Sequence, residues 1–258
     1  MSHPFHVAGA AEDVVVAHAF ANFYVITTRP DEEIVRSVNV MKGRPPAQVG
    51  SITTTPSRVP AVFDWNRLPT GITRQQVMGL MDAFFALGPF GFRGPAAEHV
   101  PDHLGEWDNG VRTAQVIAPG YACPSNEFLS RSLAAIDDDI LYVTSANRSR
   151  HVTGAEDEPA HYRADGLRAE FGDNAGFVVL EHFDEAAARA RYPLHAPMST
   201  TILAFHKLGQ CDAQGRLCLV VERHGSLPIE QVVPIVERHG FGVSLGPKAV
   251  RRLQLRRY

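Results

Sequence analysis

The chain has 258 residues, long enough to bury a sizeable core and near the upper size for a single domain. Hydrophobic residues make up 45% and charged residues 21%, ordinary values for a globular protein, and a net charge of -3 excludes a surface that is basic all over. A local basic groove stays open, because net charge says nothing about distribution.

Cys123, Cys211 and Cys218 are widely spaced, form no CxxC pair and are too few for a disulfide framework. The 12 histidines include no HExxH motif, and no metal centre is expected. Met1-Ser2-His3-Pro4-Phe5-His6 lacks a basic segment leading into an apolar one, and no run approaches the ~18 apolar residues of a membrane span. A cytoplasmic protein without a membrane partner is the expectation.

In chain order, residues 13–19 read as a short apolar strand and 23–27 as a second, rich in aromatic and β-branched residues. Residues 32–41 place Ile34, Val35, Val38 and Met41 on one helical face, with acids in the first turn where the helix dipole favours them. Lys42-Gly43-Arg44-Pro45-Pro46 stops that helix. Residues 73–87 predict a helix capped by Thr70 or Thr73, and the Gly- and Pro-rich stretch 88–120 an irregular loop with short strands. A helix over 125–136, capped by Ser125 or Asn126 and ended by Asp137-Asp138-Asp139, leads to a strand at 140–144.

The polar stretch 150–165 reads as a mobile surface loop. Strands follow at 176–180, 200–205 and 217–221, then a helix at 229–239 and a tail, 251–258, alternating basic and apolar residues. Strands and helices intermingle with no visible linker. The expected architecture is one α/β or α+β domain over residues 1–258.

Three places put small polar groups and cations at element ends. Lys42-Gly43-Arg44 can converge two cations on one phosphate chain, although a solvated cap complementing the helix dipole satisfies the same spacing. Ser145-Ala146-Asn147-Arg148-Ser149 lies at a strand end, where short polar side chains let an anion approach the backbone; a plain polar turn fits equally. Ser199-Thr200-Thr201 would meet Arg223-His224-Gly225 only if the two strands pair in the right register. No GxxxxGK[ST] loop is present, so a P-loop NTPase is unsupported. The basic tail is open to RNA contact or to plain solvation.

Taken in order, these places resemble the YrdC family of threonylcarbamoyl-AMP synthases. The matching residues are Lys42-Gly43-Arg44-Pro45, Ser145-Ala146-Asn147-Arg148-Ser149, Ser199-Thr200 and Arg223-His224-Gly225. The resemblance spans residues 13–225 and leaves 226–258 as a C-terminal helix and basic tail. It implies a twisted mixed sheet with flanking helices and a large concave surface. It further implies ATP and Mg²⁺ as cofactors, with bicarbonate and a small amine or amino acid as partners. A carbamate oxygen would attack the α-phosphorus of ATP and release pyrophosphate. In that scheme Lys42 and Arg44 are catalytic, and Ser145, Asn147, Ser199, Thr200 and Arg223 join them around the nucleotide. The alternative is a non-catalytic module holding nucleotide or double-stranded RNA.

Departures from the family fall on the amino-acid side. Its Pro-Thr-x-Thr-x-Tyr-Gly-Leu run meets His18-Ala19-Phe20-Ala21-Asn22-Phe23-Tyr24-Val25, so both hydroxyls are methyls and the glycine is Tyr24. Its Gly-Pro-x-Thr meets Gly88-Pro89-Phe90-Gly91; its Arg-x-Pro has no match at Ile117-Ala118-Pro119; and its Lys-Pro-Leu reads Gln48-Val49-Gly50. Losing such partners costs roughly 1–3 kcal/mol per unpaired group. An acceptor other than threonine is the expectation, in a pocket made more aromatic by Phe20, Phe23 and Tyr24.

Overall fold

The computed structural model describes residues 14–155 and 159–255; the start of the first expected strand, positions 156–158 of the expected loop and the end of the basic tail lie outside them. Eleven strands form one mixed sheet. The apolar N-terminal segments pair as the hairpin β1 (Val15–Phe20) and β2 (Phe23–Thr28), turning through Ala21 at φ 56°. Then come α1 (Glu32–Met41), β3 (Ser51–Thr53), α2 (Arg74–Leu87), β4 (Phe90–Pro95), β5 (Gly105–Asp108) and β6 (Val111–Ala118). Helix α3 (Ser125–Ile136), β7 (Leu141–Ser145), α4 (Arg150–Thr153), α5 (Ala164–Phe171), β8 (Phe177–Val179) and α6 (Glu185–Arg191) follow. The chain continues with β9 (Ile202–Gly209), β10 (Cys218–Arg223), α7 (Ile229–Arg238), β11 (Gly242–Leu245) and α8 (Pro247–Leu255).

The sheet order is β11-β10-β9-β4-β6-β3-β7-β2-β1-β8, with β5 joined to β6. Strand alternation gives its two faces different characters. Tyr24, Ile26, Ile52, Val116, Phe92, Leu203 and Val221 belong to one large apolar core that also takes the buried sides of α1, α2 and α7. Phe23, Val25, Val143 and Ile117 project to the other side, where Leu129 and Leu133 of α3 cover part of the sheet. Beyond α3, that face is lined by polar residues, Ser51 and Gln115 among them. The candidate site lies there.

Local signals place several ends. Thr73, not Thr70, caps α2: its hydroxyl accepts from Gln76 N at 3.2 Å while Gln76 Oε1 accepts from Thr73 N at 3.0 Å. Helix α3 departs from expectation, since Pro124 is its N-cap; Ser125 Oγ instead donates to Ala19 O and Asn126 Nδ2 to Gly120 O.

The stretch 88–120, expected as irregular loop with short strands, carries β4, β5 and the eight-residue β6 and so is more regular than expected. Gly91 and Gly94 answer to packing rather than turning: a Cβ on Gly94 would overlap the ring of Phe205, and one on Gly91 would lie 2.8 Å from Ile202 Cγ1, whereas Gly110 turns the chain from β5 into β6 at φ 74°. The stretch 150–165 is likewise not wholly loop, since it forms α4, buries Ala160 and begins α5. The basic tail, expected without an element of its own, folds as part of α8 through residue 255.

Two buried histidines make the fold acid-sensitive. His18 lies between Phe20 and Phe128 with Nε2 2.7 Å from Thr27 Oγ1, and burial pushes its pKa down to about 3; burial likewise lowers His195 to about 4. Unfolding returns both to about 6.5. The unfolded chain therefore binds more protons below that pH, and stability present at neutrality is lost as pH falls toward 4. Each histidine contributes a slope of about 1.4 kcal/mol per pH unit. Urea unfolding between pH 6.5 and 4.5 should show a steep fall that His18→Gln reduces; an unchanged slope in that variant would refute the assignment.

Candidate functional site

Two strand ends and one helix end meet on the polar face. Strand β7 runs between β2 and β3, with Val25 opposite Ser145 and Ser51 opposite Val143. It ends in the turn Ser145-Ala146-Asn147, whose N–H of Asn147 donates to Ser145 O at 3.0 Å. The end of α1 docks on this turn. Lys42 Nζ donates to Ser145 O, and Ser149 N donates to Lys42 O at 2.8 Å.

Asn39, fully buried in the last turn of α1, shapes the loop that follows. Its Nδ2 donates to Pro46 O at 3.1 Å and Gln48 O at 2.9 Å, and its Oδ1 accepts from Tyr142 Oη at 3.1 Å. Arg44 and Gln48 are thereby presented to the cavities. Asn39 is a positioning residue missed at the level of sequence. Its signal was a polar side chain on the apolar face of the helix, beside Val35 and Val38.

Strands β9 and β10 pair in the register that joins the third place. Arg223 lies opposite Ile202, and its Nε donates to Thr200 O at 2.7 Å. Ser226 N donates to Ser199 O at 2.9 Å, and Thr201 Oγ1 accepts from Gly225 N at 3.0 Å. The close approach needs a glycine: a Cβ at 225 would lie within contact of Ser199 O and Thr200 C and 2.5 Å from Thr201 N.

These elements bound two adjoining cavities. The inner one, about 100 Å³, is walled by Phe23, Val25, Ser51, Gln115, Ile117 and Val143 from the sheet, with Gln115 Nε2 donating to Ser51 Oγ at 2.5 Å. Arg44, Gln48, Ser145, Ser199 and Arg223 line it and also the outer cavity of about 600 Å³. The outer walls add Asn147, Arg148, Arg150 and, from α8, Lys248, Arg251 and Arg252. No carboxylate lines either cavity among the described residues. Seven cationic side chains thus face one space large enough for a nucleotide.

The expected site residues separate on this geometry. Arg44, Ser145, Ser199 and Arg223 line both cavities, Thr200 the inner one and Asn147 the outer. Lys42 does not line either; it is fully buried, and desolvation, with Arg44 nearby, holds its pKa well below the ordinary lysine range. In this structure it clamps α1 to the β7 turn, its Nζ donating to the backbone carbonyl of Ser145. Of the three expected acceptor-pocket aromatics only Phe23 lines the inner cavity. Tyr24 points to the opposite face, its hydroxyl donating to Glu185 Oε1 at 3.0 Å and accepting from His182 N at 3.0 Å; Phe20 packs in the cluster beneath α3. Sheet alternation forbids neighbours 23 and 24 from sharing a pocket.

A second polar cluster is closed. Asp108, His206 and Glu222 could hold a metal by proximity, yet Lys207 Nζ sits 2.6 Å from Asp108 Oδ2 and 2.5 Å from Glu222 Oε1. Burial alone would raise Asp108, but bonds from Lys207 and His206 outweigh it and hold the carboxyl at about 2. The lysine supplies the positive charge this cluster needs.

No protein-family model and no curated protein matches the chain. Solved structures do. A hypothetical protein, smu.1377c, from Streptococcus mutans UA159 superposes with a TM-score of 0.63 at 14% identity, over 92% of this chain and 91% of that one. P. abyssi Sua5 complexed with L-threonine matches with a TM-score of 0.56 at 17% identity, over 91% of this chain and 56% of that one. Full-length HypF in the phosphate- and nucleotide-bound form matches with a TM-score of 0.52 at 12% identity, over 83% and 27%. This chain therefore spans little more than half the length of the Sua5 structure. No helix among the described residues is long and apolar enough to cross a membrane. With its eleven-stranded mixed sheet, flanking helices and cavity-bearing polar face, the chain has the YrdC-type fold, in a divergent form.

Proposed function

We propose that this protein binds ATP in the outer cavity and transfers its adenylyl group to a carbamate- or carboxylate-type oxygen, releasing pyrophosphate. One observation carries the reading: a cavity of about 600 Å³ that faces seven cations and no carboxylate among the described residues, opening into a small polar pocket. A polyphosphate fits the cations, and Arg44 and Arg223, lining both spaces, stand where the α-phosphate would meet the inner group. The ligands named for the matched structures, L-threonine with Sua5 and phosphate and nucleotide with HypF, support the same division.

In this reading the nucleophilic oxygen forms a bond to the α-phosphorus as the bond to the β-phosphate oxygen breaks. The residues position two anions and neutralise the charge that develops. Mg²⁺ is usually held by one or two carboxylates together with substrate phosphates. Among the described residues neither cavity is lined by a carboxylate, so those residues do not fit a resident Mg²⁺ ion, and the metal would arrive with the nucleotide.

Threonine is not the acceptor we propose. A threonine at position 91 would place its Cβ 2.8 Å from Ile202 Cγ1 and 3.1 Å from Thr201 O, and Ala19 and Ala21 supply no hydroxyl. Calorimetric titration with Mg-ATP tests the binding step; absence of binding would sink the reading. Pyrophosphate release with bicarbonate across amines and amino acids tests turnover. Silence in that assay, with RNA or nucleotide still bound, would favour a binding module.

A further inference from the structure

The inner cavity also constrains what is adenylated. We infer that it takes a small carboxylate or carbamate anion of roughly four non-hydrogen atoms, not an amino acid; this rests on the nucleotide reading of the outer cavity. Size is the first argument. An apolar cavity of ~150 Å³ just holds benzene, so the inner cavity's volume of about 100 Å³ admits roughly four atoms. Acetate and carbamate have about four, whereas threonine has about eight. Growth outward is blocked if the nucleotide fills the adjoining space.

Charge is the second argument. Among the described residues the charged groups of the lining are the guanidinium groups of Arg44 and Arg223, with no carboxylate to receive an ammonium. A zwitterionic amino acid would bury its ammonium beside two cations, which desolvation and repulsion both oppose. An anion meets instead two guanidinium groups and the hydroxyls of Ser51, Ser145, Ser199 and Thr200. Apolar Phe23, Val25, Ile117 and Val143 close the remaining walls and leave little room for a longer chain.

The step balances without further reagents. The anion's oxygen bonds to the α-phosphorus, the bond from that phosphorus to the bridging oxygen breaks, and pyrophosphate leaves with the electron pair; nothing is oxidised or reduced. A carbamate could come from ammonia and bicarbonate with loss of water, while a carboxylate would be taken up ready-made.

Exchange of labelled pyrophosphate into ATP by the full chain distinguishes these sources. Three arms are run: acetate, ammonium with bicarbonate, and threonine or glycine with bicarbonate. Exchange is expected in the acetate or ammonium-bicarbonate arm, whichever supports it naming the source, and not in the amino-acid arm. Faster exchange with an amino acid overturns the inference. So does silence in both small-anion arms while calorimetry shows ATP bound. Failure to bind ATP at all overturns the nucleotide reading itself, a separately measured result that takes the inference with it. Gln115→Met keeps the side-chain length but removes the amide at the pocket wall. By releasing the Ser51 hydroxyl that the Gln115 amide holds, it should raise the KM of the active anion about tenfold, the scale of one hydrogen bond to a charged group, without moving the Kd of ATP. An unchanged KM, or a shifted Kd, counts against the placement.

Discussion

Replacing Arg44 and Arg223 together with glutamine should lower ATP affinity by roughly 10²–10⁴-fold, since charge-assisted hydrogen bonds contribute about 1.5–3 kcal/mol each. These are the cations that line both cavities, one from the loop after α1 and one from the end of β10. The effect should be less than additive if both reach the same phosphate. Binding to the unaltered chain should also weaken with salt, because an open basic cavity is partly screened. Arg223 has a structural duty as well, since Nε holds Thr200 O, so Arg223→Gln alone should lower both affinity and stability. Arg44→Gln should act mainly on affinity. Calorimetry at fixed ionic strength, with Arg58→Gln as a remote control on the Asp139 ion pair, provides the measurement. Tight ATP binding by the double variant would mean that the nucleotide sits elsewhere.

Gly225→Ala should be among the most destabilising single methyl additions in the chain. The new Cβ would meet backbone atoms of Ser199, Thr200 and Thr201, which cannot move aside as a flexible side chain would. Overpacking of this kind costs about 1–3 kcal/mol and at times more. For a chain of this size that is roughly a 3–10 °C fall in Tm. The site should suffer with it: pushing residues 199–201 away breaks the bond from Arg223 to Thr200 and displaces two residues of the cavity wall. Gly215→Ala is the comparison. Gly215 has a positive φ of 76° but open space around a Cβ, so the change should cost only the ~1–2 kcal/mol of a left-handed residue and leave ATP binding intact. If Gly225→Ala melts like the parent and binds ATP equally, the Arg-x-Gly interlock has been misread.

Much of the secondary structure was legible because its causes are local. The strands near residues 15, 23, 141, 202 and 218 announce themselves by β-branched and aromatic runs. Helices α1, α2, α3 and α7 do so by apolar spacing and end signals. The ordered motifs around Arg44, Ser145, Ser199 and Arg223 were equally visible, and the structure brings them to one pair of cavities.

What stayed hidden depends on neighbours distant in the chain. Gly91 and Gly94 look like breakers until β9 lies against β4, when each proves to be the residue that lets Ile202 or Phe205 approach. Lys42 looks exposed at a helix end until the β7 turn closes over it and accepts from its Nζ. Tyr24 looks like a pocket residue until pairing with β1 and β7 decides which face it presents. The tail looks like a solvated basic end until α8 carries Lys248, Arg251 and Arg252 to the outer cavity. Sequence alone thus determined where four of the helices and several strands form and which polar motifs stand at their ends, since periodicity and capping act within a few residues. Only the tertiary structure decided which of those residues line the cavities and which are buried behind them, because sheet register and packing are set by contacts between segments far apart in the chain.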